Sequence, residues 1–136
     1  MHTPDDPERA ELRATLRELS KALIPLHRAL IHATKDDYTR DVEPVSSPGH
    51  LLRLVSDDAF FAWLKPLTSL IVDIDEMASG DFESEAVDVV VKRIDILFGT
   101  EPDERFTARY VPILQRDVDV AIGHAAIRQA RAKLAP

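Results

Sequence analysis

The stretch "LRATLRELSKALIPLHRALIHA", Leu12 to Ala33, decides the fold. Leu12, Leu16, Leu19, Leu23, Leu26, Leu30 and Ala33 recur at alternating spacings of 4 and 3. A seam of that period marks a helix packed nearly parallel or antiparallel to its neighbours, as in a bundle. Upstream, Asp6 suits the cap position and Pro7 the first helical position. The helix is predicted to run to about Asp37 or Tyr38, with residues 1–6 poorly ordered.

Working outward, "RDVEPVSSPGH" is a loop by its Pro, Ser and Gly content, and Ser47-Pro48 opens a short helix over about 48–55. Ser56-Asp57-Asp58 caps another start, after which Phe60, Trp63, Leu67, Leu70, Ile74 and Met77 repeat the same period up to Ser79-Gly80-Asp81. Gly80 is expected to end that helix as a left-handed cap residue. In "DFESEAVDVVVKRIDILFG" the β-branched residues favour a strand, yet Val87, Val90, Ile94 and Leu97 fit a helix better than a period of two. Gly99 closes it and "TEPDE" begins a last helix with the inner line Phe106, Tyr110, Ile113, Asp117, Val120, His124, Ile127. The prediction is an all-α fold: one domain over 1–136, a four-helix bundle with Pro-kinked helices and one short extra helix at about 48–55.

A chain of 136 residues can bury a core without disulfides or metal, and 45% apolar with 30% charged residues is a globular balance. Apolar runs are too short to cross a bilayer. The acidic, Pro-broken "MHTPDDPERAELR" lacks an export signal's pattern, so the cytoplasm is the expected location. The absence of cysteine removes thiolate ligands and thiol nucleophiles. A net charge of −7 disfavours nucleic-acid binding. The exception is the acid-free C-terminal stretch with Arg128, Arg131 and Lys133, where cations also complement a helix dipole.

Three prolines fall in apolar helical patterns: Pro25, Pro66 and Pro112. Interior prolines would free the carbonyls of Lys21, Ala62 and Ala108 at a cost of roughly 3 kcal/mol each. For Pro66 and Pro112 the alternative is a helix that begins later, with "DDAFFAWL" a separate short helix. Pro25 is a true interior proline, since the leucine seam keeps its register across it.

At about 100° per residue, His27 falls inside the apolar arc of the first helix and His32 on the opposite, charged side with Lys21, Arg28 and Asp36. Asp117, His124 and Arg128 lie on the inward line of the last helix, and Asp73 at the margin of a buried arc. Buried charges need partners, so His27, Asp73, Asp117, His124 and Arg128 are the candidate ligand-binding residues. They would form a polar pocket for a small anion, a divalent-metal site through the imidazoles and a carboxylate, or a structural ion-pair network. No metal ligand set is assigned: no histidine has a glutamate three residues earlier, and His-x-x-x-His is absent. Phosphate loops, dinucleotide fingerprints and nucleophile elbows are also absent, and no catalytic residue or cofactor is assigned.

From "LHRALIHATKDDY" through "PGHLLRLVSDDAFFAWLKPLTSLIVDIDE", over a third of the chain, the sequence resembles a family of small all-helical bacterial proteins with no established activity. That resemblance implies a compact helical domain and carries no site residues. The leading expectation is a non-enzymatic module for protein interaction or self-association, as a homodimer or with a partner protein. Its sequence support is the heptad seams and Val89 and Ile96 on the outer side of the third long helix. A small-ligand binder using the polar residues is the alternative.

Overall fold

The computed structural model describes residues 6–99 and 103–134, and these are all-helical. The expectation of a poorly ordered start falls outside the described residues except at Asp6. That residue caps α1 (Pro7–Asp41), its carboxylate accepting from the Arg9 amide at 2.8 Å. There follow α2 (Pro48–Asp57), a 3-10 helix (Ala59–Leu64), α3 (Lys65–Ser79), α4 (Ser84–Phe98), α5 (Glu104–Arg116) and α6 (Val118–Ala132).

In α1, Leu16, Leu19, Leu23, Leu26 and Leu30 are fully buried. Beyond Leu30 the buried line passes to Thr34 and Tyr38 rather than Ala33 and Asp37. A straight helix of 3.6 residues per turn drifts off a strict heptad, which accounts for the change. The helix continues through Pro25, which is exposed on the outer side, as is Lys21, whose carbonyl the proline leaves free.

Two expected helices are divided. Residues 58–79 hold a 3-10 helix and then α3, with Pro66 in the first turn of α3, so "AFFAWL" is a separate short element. The tighter winding of three residues per turn shifts the buried line by one. Phe61 and Leu64 are buried in place of Phe60 and Trp63, and the line then joins Leu67, Leu70 and Ile74. The last helix breaks at Asp117, not at Pro112, which lies inside α5 with its ring exposed. Asp117 is extended, ends α5 and caps α6 by accepting from the Val120 amide at 3.1 Å. The inner line survives the break, with Phe106, Tyr110, Ile113, Val120 and Ile127 all buried.

The 83–98 segment is a helix, with Val87, Val90, Ile94 and Leu97 buried along one side. Gly80 follows α3 as predicted, but it is extended rather than left-handed. The carbonyls at this helix end are bound from α1 instead: the Arg13 guanidinium donates to Ala78 at 3.0 Å and Gly80 at 2.6 Å. α1 packs along α6 on one flank and α3 on the other, α5 against α6, and α4 against α3 and α6. Where α1 and α6 meet, a Cβ on Gly123 would stand 3.1 Å from the Leu26 side chain, so the glycine sets how closely the two helices approach.

Candidate functional site

The five polar residues marked by the sequence divide between two regions. On the α1–α3 side, His27 Nε2 lies 2.9 Å from Thr68 Oγ1, and burial lowers the imidazole pKa. Asp73, farther along α3, is ion-paired with Arg93 of α4, whose guanidinium also donates to Ser69 at 3.2 Å. On the α5–α6 side, His124 Nδ1 lies 2.8 Å from the Tyr110 hydroxyl. Phe98 meets both rings edge-on. Burial lowers the His124 pKa, with the Arg128 charge adding to it, and burial raises that of Tyr110. The phenol therefore keeps its proton, and when it donates to Nδ1 the imidazole carries its own proton on Nε2.

Arg128 does not point at His124 as a partner in a ligand pocket. It donates to Asp95 of α4 at 3.2 Å, and Arg131 holds the same carboxylate through two bonds, of 2.9 and 2.8 Å. The hydrogen bond from Arg131 leads in keeping the Asp95 pKa below the usual carboxylate value, and it raises that of Arg131 in return. Asp117 is used as the α6 cap. His27 and His124 thus have separate partners on separate helices. Among the described residues no three His, Asp or Glu side chains gather as metal ligands. Asp95 went unmarked because its partners lie 33 and 36 residues away, a neighbourhood set by how α4 packs on α6.

All three cations of the C-terminal stretch are engaged: Arg128 and Arg131 on Asp95, and Lys133 on Glu18 at 3.0 Å. A basic face for phosphate backbones would need them free.

The other flank of α6 is built differently. Val118, Ala121, Ile122, Ala125, Gln129 and Ala132 are all exposed there, and none is charged. Between this face and α1 runs a groove of about 510 Å³, floored by small side chains including Ala22, Ala29 and Ala126 and by Gly123. Lys21, Arg28 and His32 stand along its α1 wall, with Pro25 between the first two, and Asp119 and Ile122 along its α6 wall. The hollow follows from composition: residues without long side chains form the floor and long ones the walls. Among the described residues, Lys21, Arg28, His32 and Asp119 enter no ion pair. The sequence places Lys21, Arg28 and His32 on the charged side of the first helix. Their common wall shows only once α6 lies beside α1.

No family model, curated protein or solved structure matches the chain.

Proposed function

We propose that the chain is a non-enzymatic helical module that joins protein surfaces, and that α6 is the helix it presents. One observation carries this reading: the outward side of α6 offers Val118 at 73% and Ile122 at 64% exposure in a stripe with no charged side chain. Water is a poor solvent for such a face, and a contiguous exposed apolar stripe marks an interaction site where scattered single residues do not. The scaffold fits the role. With the 3-10 helix and α3 taken as one broken rod and α5 and α6 as another, the molecule is a four-helix bundle in our reading, with α2 as the extra helix. A bundle of this kind holds a helix face rigidly, which limits the entropy lost on docking.

The small-ligand reading has less support, because its five residues spend their polar atoms on separate partners within the chain.

A photo-crosslinking residue at Ala125, on the stripe, compared with one at Leu52, exposed on α2, tests the proposal in the producing cell. Adducts to a protein, whether this chain or another, are expected from position 125 and not from 52. Absence of adducts from 125, or the same adducts from both, would contradict it.

A further inference from the structure

We infer that the partner of this face is a second copy of the chain, joined so that α6 of each copy packs over α1 of the other and sets its Ile122 into the other's α1–α6 groove. The inference rests on the interaction reading above and adds the occupant and its geometry.

The groove and the α6 face complement each other. Ile122 stands at the edge of a hollow with room for a large apolar side chain, and it is the exposed large apolar side chain that lines it. A two-fold contact would place each Ile122 in the hollow beside the other copy's Gly123. Level along the helices can be followed from two internal contacts, Gly123 beside Leu26 and Lys133 paired with Glu18. α6 therefore runs antiparallel to α1, and Asp119 lies level with the stretch from Arg28 to His32.

With the two-fold axis along the helices, α6 of one copy sits over α1 of the other at the same level. Asp119 then faces Arg28 and His32 of the second copy. Arg28 and Asp119, unpaired within each chain, gain opposite charges, while the rest of the incoming α6 face is neutral. The other in-plane axis would stack α1 on α1 and oppose Lys21 and Arg28 to themselves, an arrangement like charges disfavour. Because the same patch is used on both copies, the contact closes as a dimer and does not propagate.

Size bounds the affinity. α6 is 15 residues, about 22 Å long, and two adjacent helices are about 20 Å wide. The contact would bury around 1,000 Å² in total, the lower edge for a specific pair. A dissociation constant in the micromolar range is expected, within reach of sedimentation or native mass spectrometry of the whole chain.

Wild type should pass from monomer to dimer as concentration rises through that range. Ile122→Glu should stay monomeric at every concentration while keeping the melting temperature that wild type shows at concentrations where it too is monomeric. Leu52→Glu, an equally exposed position on α2, should dimerise as wild type does. Arg28→Glu and Asp119→Lys should each weaken the dimer about tenfold or more, and the double variant should recover most of that loss. A wild type that stays monomeric would overturn the inference, leaving the wider reading to be decided by crosslinks to other proteins. A dimer untouched by Ile122→Glu would overturn this geometry while leaving self-association through another face. Failure of the charge exchange to restore affinity would overturn the assigned pairing.

Discussion

The two flanks of α6 carry similar numbers of charges and use them in opposite ways. On the α4 side, Arg128 and Arg131 converge on Asp95 in a half-buried pocket with Gly99 packed against it. On the α1 side, Lys21, Arg28, His32 and Asp119 line an open groove without ion pairs. A charge withdrawn from water must be paired to be tolerated, so the first flank is bound up with folding. An exposed charge keeps its hydration and contributes little to stability, so the second flank can vary without unfolding the protein. The same helix therefore ties the fold together on one side and leaves an open groove with unpaired charges on the other.

Asp95→Ala should have the largest effect on stability. It removes three hydrogen bonds and strands the two arginines, for a loss of about 3 kcal/mol in chemical denaturation. A change under about 0.5 kcal/mol would show that the pairs are surface ornament like those elsewhere. Gly99→Ala strikes the same flank sterically: a Cβ there would stand 2.7 Å from Asp95 Cα and 3.0 Å from Arg128 Nη1. The first of these is a backbone atom that cannot swing away, and a loss of about 2 kcal/mol is expected.

Acid should weaken the buried polar contacts in a definite order. His27 and His124 have folded-state pKa values below their ordinary 6.5, chiefly through burial. The unfolded chain takes up those protons first as pH falls, so their contribution is complete above 6.5 and is lost below it. Asp95 acts at lower pH, where protonation of the unfolded carboxylate precedes that of the arginine-bound one. The melting temperature should fall from neutral to mildly acidic pH in wild type and fall less in the His27→Gln, His124→Gln double variant. Equal slopes in the two proteins would contradict this assignment. Smallest of all, Lys21→Ala or Arg28→Ala should change stability by no more than about 0.5 kcal/mol, since neither side chain has an ion-pair partner to lose. A larger loss would erase the contrast between the flanks.

How much of this was legible in the sequence depended on whether the cause was local. The leucines of α1, the Ser47 and Asp58 caps and the helical character of α4 follow from spacing and capping chemistry within one element, and these elements begin where they were read, although α1 runs on to Asp41 and α2 to Asp57. The 3-10 winding of "AFFAWL" was not visible, because its apolar residues fit an α-helical period as well. The structure decides for Phe61 over Phe60. The break at Asp117 was hidden by an inner line that continues unchanged on both sides, although Asp117 is a good cap residue. Of the five marked polar residues, all found partners, but the expected single cluster did not form. Periodicity gives the face a side chain occupies and not the helix it meets. For the same reason Asp95 was missed, and the cations of α1 could be seen but not their place beside a groove.

The separation of the two flanks is tested most directly by measuring mass and melting temperature together for Asp95→Ala and Ile122→Glu, each held well below its own melting point. A crossed result is predicted: Asp95→Ala melts lower yet still dimerises with rising concentration, while Ile122→Glu melts as monomeric wild type does at low concentration and remains monomeric throughout. If both variants lose stability and dimerisation together, or neither property distinguishes them, α6 does not divide its roles between its two sides.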